Sequence, residues 1–156
     1  MRPSVALKSL TVPHEFLESA LSLYFEHKAY SSALHLAGAA EELLGKLLRE
    51  NGVESWLDSI QQLCMDAWDK VVSEAPVSTI DGARMSLKSI AADLNSARNH
   101  VKHFTAAATY DVRVESCRML WRAFSNYDRL RQTGASLSIV SELTDRLLAS
   151  DIRTFG

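Results

Sequence analysis

Glycine, proline and cysteine are scarce in this chain of 156 residues. Three prolines and six glycines leave little room for a long disordered linker. The chain also has no Gly-rich loop of the kind that cradles phosphate groups. Its two cysteines, Cys64 and Cys117, lie far apart in the sequence and form no metal-type pair. We therefore expect buried thiols in a reducing compartment and one domain over residues 1–156.

Long apolar runs are absent as well. The first ten residues contain no apolar segment long enough for a signal peptide, and no stretch approaches the length needed to cross a bilayer. Apolar residues make up 47% of the chain and charged residues 23%, which is ordinary for a globular domain. We expect a cytoplasmic protein with no membrane partner.

Positive charge is not in excess, since the formal net charge is −2, and a generally basic nucleic-acid-binding protein is disfavoured. The charge is unevenly distributed, however. Residues 1–97 carry 8 Lys/Arg and 13 Asp/Glu, whereas residues 98–131 carry 7 Lys/Arg and 3 Asp/Glu. Most of these arginines fit solvated helix faces, but a local basic surface is also where an anionic ligand would bind.

The spacing of apolar residues predicts helices throughout, and no stretch alternates with a period of two. The predicted fold is all-α: an antiparallel bundle of four to five helices with its core in about 13–132, and a short extra C-terminal helix at about 137–149. The predicted helices of the bundle run from 13 to 28, from 31 to 51, from 55 to 72, from 78 or 79 to 104, and from 109 or 111 to 134.

Each of these helices carries an apolar stripe that we expect to be buried, including the third and the fourth. The stripe of the third helix consists of Trp56, Ile60, Leu63, Cys64, Ala67, Trp68 and Val71. The stripe of the fourth helix consists of Leu87, Ile90, Leu94, Ala97, Val101 and Phe104. In the second helix, the small residues 37–40 favour close approach of another helix. On that helix Glu41 lies at the edge of the buried stripe, and Glu42 points to solvent.

The fourth helix ends in a polar cluster, Arg98-Asn99-His100-Val101-Lys102-His103. An arginine can bind phosphate oxygens with its planar guanidinium, and an imidazole can transfer a proton near neutral pH. The two histidines lie three apart, but no carboxylate is obviously paired with them, so we expect no metal. An ordinary polar helix end that complements the helix dipole is the alternative interpretation.

The six-residue cluster resembles the signature of the HEPN superfamily, in which an Arg, commonly followed by Asn, precedes a His by four to six residues. The segment 33–44, in which small residues precede acids and leucines, is similar to an earlier helix of that family, and the resemblance covers about 13–132. One subgroup carries Tyr two residues after the His, where this chain has Thr105. Lys102 stands where an apolar residue is common.

The resemblance implies a metal-independent endoribonuclease or a non-catalytic RNA-binding relative, and members are often toxins of toxin–antitoxin or defence systems. It places the catalytic Arg, Asn and His on Arg98, Asn99 and His103, with Glu41 as the candidate acid from the earlier helix. His103 would act as general acid or base while the ribose 2′-OH attacks the phosphate. No cofactor is expected.

Further RNA contacts are predicted at Lys102, His100 and Arg113. The expected partners are RNA, an antitoxin protein and a second copy of the chain. The alternative function is a non-catalytic helical module for protein–protein interaction, with a degenerate motif.

We also predict a two-fold homodimer. The face of the fourth helix opposite its apolar stripe carries Met85, Ala92, Ser96, Asn99 and His103. Small residues on that face permit a second helix to approach closely. Arg98 and His103 are about 140° apart around the helix axis, so one chain cannot easily direct both at one phosphate. A two-fold dimer would bring two copies of the cluster together in one composite site.

Overall fold

A computed structural model describes residues 10–74, 86–103, 110–134 and 142–149, with side chains for all of these except 102 and 103. Helices make up 86% of the described residues, and no strand occurs among them. The helices are α1 (Thr11–Phe25), α2 (Tyr30–Glu50), α3 (Trp56–Glu74), α4 (Leu87–Leu94), α5 (Ser96–His103), α6 (Val112–Gln132) and α7 (Glu142–Ala149). The predicted all-α bundle is confirmed.

The core lies where α1, α2 and α6 pack together, and α7 packs on α1. Its fully buried side chains are mostly leucine and alanine: Leu17, Ala20, Leu21, Ala33, Ala37, Ala40, Leu48, Leu120, Ala123, Leu130 and Leu147. Hydrogen bonds show the relative direction of the two central helices. The Ser116 hydroxyl donates to the Tyr30 carbonyl oxygen, and Asn126 Nδ2 donates to that of Glu41. From the first of these bonds to the second, the residue numbers increase along both helices, so α2 and α6 run parallel.

Several helix ends follow the local sequence signals. The Ser55 N–H donates to Asp58 Oδ2 (3.0 Å) and the Asp58 N–H donates to Ser55 Oγ (3.2 Å), which confirms the capping box before α3. Burial alone would raise the pKa of Asp58, but the hydrogen bonds from Ser55 and the charge of Arg49 outweigh it, so the net pKa is lowered. Gly52 follows α2 in the left-handed region at φ +69, where glycine carries no steric cost.

The start of α6 also matches a predicted position. The Asp111 carboxylate caps the helix by accepting hydrogen bonds from the N–H groups of Arg113 and Val114. The first helix, in contrast, ends at Phe25 rather than at 28. Lys28 lies beyond its end at φ +54, a left-handed conformation that cannot continue a helix.

The prediction of one continuous fourth helix is wrong, because the described part of this segment forms two helices. It breaks at Asn95, which separates α4 from α5. Arg122 of α6 causes the break: its Nη1 donates to the Leu94 carbonyl oxygen (2.8 Å), and its Nη2 donates to Asn95 Oδ1 (2.9 Å). The guanidinium of another helix thus hydrogen-bonds to the Leu94 carbonyl oxygen and to Asn95 Oδ1. In a continuous helix, these groups would bond to the helix backbone and to solvent.

The apolar stripe of that segment is only partly confirmed. Ile90 and Ala97 are buried, but Leu87 is 51% exposed, so its predicted burial is wrong. Leu87 is the first residue of α4, next to the N-cap Ser86 at the open end of the helix. Phe104, residues 78 and 79, and the region 137–141 of the predicted last helix lie outside the described residues.

The predicted burial of α3 is also wrong. No residue of α3 is buried in the described structure, and Leu63 and Val71 are 62% and 57% exposed. The helix packs against α4 and α6 near its start and has no helix over most of its apolar side within the described ranges. The expected burial of the thiols is confirmed for Cys117 only, since Cys64 is half-buried.

Candidate functional site

The site is set by the close approach of α5 to α2 at Gly38. A Cβ atom added at Gly38 would lie 2.5 Å from Arg98 Cδ and 2.6 Å from Arg98 Nε, far inside van der Waals contact. Only a glycine at position 38 therefore leaves room for the Arg98 side chain to cross α2 at that position. The small segment 37–40 does allow another helix to approach, as its composition predicts.

Arg98 reaches across Gly38 to an acidic side chain on the next turn of α2. Its Nη2 donates to Glu42 Oε2 at 2.9 Å, and the two side chains are 16% and 68% exposed. Arg98 Nε is shielded from solvent and has no hydrogen-bond partner among the described residues. The guanidinium is thus held in place from one side, while its carboxylate partner stays in solvent.

The neighbouring carboxylate, Glu41, points the other way into the protein. Its Oε1 accepts a hydrogen bond from Arg122 Nη2 at 3.2 Å, and both side chains are almost completely buried. Arg122 also stacks against Trp56, with its Cζ 5.0 Å from the ring centroid. The predicted acid of the earlier helix therefore lies in a buried ion pair, and Glu42 is the carboxylate that contacts Arg98.

A small pocket of about 170 Å³ opens between these elements. It is lined by Glu41, Glu42, Gly45, Arg49, Ser55, Leu57, Asn95 and Arg98. Arg49 brings a second cation to the lining of this pocket, and its Nη1 contacts Asp58 Oδ2 at 3.4 Å. Two guanidinium groups beside one small pocket, each facing a single carboxylate, form a surface that can accept a phosphate group.

The remaining predicted residues are distributed around α5. Asn99 is exposed, and His100 is half-buried with its ring 5.9 Å from that of Tyr110. α5 ends at His103, and the side chains of Lys102 and His103 lie outside the described residues. The structure therefore places Arg98 and Asn99 on α5.

Arg113 is not brought to this group. It lies at the start of α6 and hydrogen-bonds to Tyr24, which together with the nearby charge of Tyr30 raises the pKa of the guanidinium. Tyr30, which lies near Arg113, begins α2 eight residues before Gly38. Eight residues of α-helix span about 12 Å, so Arg113 is well separated from the Arg98 site. Burial is the main cause that raises the pKa of Tyr24 to about 12.

Sequence reasoning missed Arg122 and Asn126, which connect the site to the core. Asn126 is completely buried; its Oδ1 accepts from the Trp56 N–H (2.7 Å) and its Nδ2 donates to the Glu41 carbonyl oxygen. The signal that reveals them is their spacing, because 119, 122, 123, 126 and 130 fall on one helical face that is otherwise apolar. A buried arginine and asparagine on such a face need specific partners.

The described residues show neither a metal-binding cluster nor a membrane-spanning helix. They include no group of three His, Cys, Asp or Glu side chains that could hold a metal ion. Among the helices that they form, none combines the length and the apolar character needed to cross a membrane.

Comparison of the chain with models of protein families, with curated proteins and with solved structures gives no match. The function must therefore be inferred from the geometry of the site and from the resemblance of its motif.

Proposed function

We propose that the protein is a HEPN-like, metal-independent endoribonuclease that acts as the toxin of a toxin–antitoxin or defence system. The observation that carries the proposal is the position of Arg98. Its guanidinium crosses Gly38 beside a small pocket, and within the described structure it pairs with the solvent-exposed carboxylate of Glu42. A phosphate can replace such a partner at little cost, because an exposed ion pair contributes only about 0–1 kcal/mol.

The proposed reaction needs one cation and proton transfer at two oxygens. The ribose 2′-oxygen attacks the adjacent phosphorus and gives up its proton, and the bond from phosphorus to the 5′-oxygen of the next nucleotide breaks as that oxygen gains a proton. The products are a 2′,3′-cyclic phosphate and a 5′-hydroxyl. Arg98 stabilises the negative charge that develops on the phosphate oxygens, and His103 transfers a proton. Asn99 orients the imidazole or binds phosphate.

The composite dimer belongs to this proposal. Arg98 is directed towards α2, and position 103 lies about 140° further around the same helix. Ala92, Ser96 and Asn99, three residues of the predicted contact face, are exposed, and Met85 lies outside the described residues. A second copy on that face would supply the proton-transfer group from one subunit and the phosphate-binding group from the other.

Cleavage of RNA by the purified protein in EDTA tests the proposal. Wild type should cleave, and Arg98→Ala and His103→Ala should each lose at least about 100-fold in rate. Matched controls are Arg131→Ala, which removes an exposed arginine paired with Asp128 of its own helix, and His35→Ala, which removes an exposed imidazole of α2. The nuclease proposal fails if wild type and His103→Ala leave the same trace of cleavage.

Subunit mixing tests the composite site. Arg98→Ala and His103→Ala proteins, each folded and inactive alone, should regain activity when mixed, because one site of the mixed dimer contains an intact set. Light scattering that shows a monomer at micromolar concentration would rule out the dimer.

The alternative function, a non-catalytic module for protein–protein interaction, is favoured by one observation: the exposed apolar side of α3. Leu63 and Val71, two turns apart, are both more than half exposed. In this function the motif serves structure, so Arg98→Ala and His103→Ala should each destabilise the fold by several kcal/mol. Catalytic surface residues should instead cost little stability or none. Thermal unfolding of the two variants separates the alternatives.

A further inference from the structure

A second cleft lies between the α4–α5 segment and α6. It measures about 670 Å³, within the range of small-molecule sites. It is lined by Trp56, Asp93, Leu94, Ser96, Ala97, Tyr110, Glu115, Arg118, Met119, Trp121, Arg122 and Ser125. The pocket beside Arg98 shares none of these lining residues, so the two are separate sites.

The walls of this cleft are aromatic and held in place. Trp56, Tyr110 and Trp121 contribute three flat side chains. Trp56 is fixed twice, because its N–H donates to the buried Asn126 and the guanidinium of Arg122 stacks against its ring. A tryptophan that is half-buried and yet anchored at backbone and ring is preorganised for stacking.

Two buried donors on the lining side chains have no acceptor. Arg122 Nε and Trp121 Nε1 are shielded from solvent and have no hydrogen-bond partner among the described residues, although both terminal nitrogens of Arg122 donate hydrogen bonds. Buried donors in folded proteins are nearly always paired, so such pairs of orphans call for an acceptor. Both donors belong to side chains that line the cleft, so an acceptor for them would be supplied from that side.

The charged groups around the cleft show no excess of positive charge. Arg118 pairs with Glu115 at 2.7 Å, Arg122 pairs with Glu41, and Asp93 adds a further carboxylate. No excess positive charge is left to attract a multiply charged anion. The walls instead match a neutral ring that stacks and accepts hydrogen bonds.

We infer that this cleft binds one flat, neutral heteroaromatic ring with hydrogen-bond acceptors, such as a bicyclic base. The ring can come from a free small molecule or from an RNA strand; the RNA source rests on the proposed function, and the free source does not. Stacking on aromatic side chains and acceptance from indole N–H groups are the recognition chemistry in both cases.

The indole N–H signals in a ¹H–¹⁵N spectrum of the full chain give a direct test with an internal control. Two of the three tryptophans, Trp56 and Trp121, line the cleft, while Trp68 lies outside it on α3. Adenosine should shift the first two signals in a saturable way and leave the third in place, and ribose 5-phosphate should shift none. Equal shifts of all three signals, no shift with adenosine, or an equal response to ribose 5-phosphate would each overturn the inference.

Variants sharpen the same test. Trp56→Ala should weaken adenosine binding about tenfold, whereas Trp68→Ala should leave it unchanged. Trp121→Phe keeps an aromatic wall but removes the N–H donor, so it should weaken binding without unfolding the protein. Unchanged affinity in both cleft variants contradicts the inference.

The source of the ring is distinguished in the His103→Ala background, in which RNA stays uncut if the proposed function holds. If a single-stranded RNA shifts the Trp56 and Trp121 signals and an abasic version does not, the ring belongs to RNA; a response to adenosine alone identifies a free ligand. If wild type cleaves RNA and no ring shifts these signals, the cleft inference fails and the proposed function stands. If adenosine binds and no cleavage occurs, the cleft inference stands and the proposed function fails.

Discussion

Glu41 and Glu42 are neighbours in α2, and each contacts an arginine of a later helix, yet the two ion pairs differ in burial. The Glu41 and Arg122 side chains are 6% and 5% exposed, whereas those of Glu42 and Arg98 are 68% and 16% exposed. Successive residues of a helix point about 100° apart, which sends one carboxylate into the core and leaves the other at the surface. The first pair has the Leu94 carbonyl oxygen and Asn95 as further partners of its arginine.

The difference separates two roles for the same chemistry. A buried ion pair stabilises the protein only when additional hydrogen bonds satisfy its charges, and losing one partner leaves the other charge buried alone. A pair that is open on one side loses little when its partner is exchanged. The pair at Glu41 therefore fixes the backbone at the break between α4 and α5, whereas in the proposed function a phosphate replaces Glu42 as the partner of Arg98.

Removal of the buried cation should have the largest effect. We expect Arg122→Met to lower the free energy of unfolding by about 3–5 kcal/mol, because Glu41 stays buried without its partner. Arg131→Ala, in which an exposed i,i+3 pair is lost, should cost at most about 1 kcal/mol. Urea unfolding measures both values.

A second substitution checks the cause of that effect. In the Arg122→Met background, Glu41→Leu should recover more than half of the lost stability, since no charge remains buried. An Arg122→Met protein as stable as Arg131→Ala would show that the buried pair has no structural role.

Displacement of Arg98 comes next. Gly38→Ala places a methyl group where Arg98 Cδ lies, so the guanidinium must move, and a misplaced catalytic group costs about 100-fold in rate. Stability should change by less than about 1 kcal/mol, because alanine favours the helix. Ser32→Ala, at an exposed position near the start of the same helix and outside the pocket, is the control. Equal cleavage rates in the two variants would refute the positioning of Arg98 by Gly38.

Tyr24 extends the comparison to a third buried polar group. Its pKa is raised to about 12, mainly by burial, whereas a tyrosine in the unfolded chain ionises near pH 10. The neutral phenol is therefore favoured by folding, and stability from this group is complete below pH 10 and decreases as the pH rises through 12. By pH 11 the loss should be about 1 kcal/mol. Unfolding of wild type and Tyr24→Phe at pH 9 and about pH 11 measures it, and the variant should lose less stability than wild type across that interval.

Removal of the open carboxylate should have the smallest effect and the opposite sign for binding. Glu42→Gln takes away the charge that competes with phosphate for Arg98, so RNA affinity should rise about two- to fivefold with little change in stability. Fluorescence anisotropy in the His103→Ala background avoids cleavage. Glu50→Gln, at the exposed end of α2 beside Lys46, is the control and should leave affinity within error of the parent. A decrease for Glu42→Gln would mean that this carboxylate orients Arg98 for RNA.

The parts of the fold that the sequence predicts are those that depend on nearby residues. The capping box at Ser55, the end of α2 at Gly52 and the start of α6 at Asp111 each follow from side chains within three positions of the feature. The close approach at Gly38 was likewise predictable from small residues, although not the identity of the arginine that uses the space.

The break at Asn95 and the exposure of α3 were not predictable in this way. The break depends on Arg122, which is 27 positions further along the chain, and nothing in the periodicity around residue 95 distinguishes a broken helix from a continuous one. The apolar spacing of α3 is as regular as that of a buried helix, and only the course of α4 and α6 leaves it open. For the site, the sequence indicated Arg98 and Asn99. It did not indicate that Glu42 contacts Arg98 while Glu41 pairs with Arg122, because those contacts depend on helices far along the chain.

The dependence of the break on Arg122 has a consequence for the order of events during synthesis. A ribosome-bound chain that has grown to about residue 110 already contains every residue of the motif from 98 to 103, but it lacks the arginine that separates α4 from α5 and the helix that holds Glu41 inward. All residues of the motif are therefore translated before the helix that fixes their arrangement is present. For the proposed ribonuclease, α6, which is translated after the motif, is therefore what completes the site.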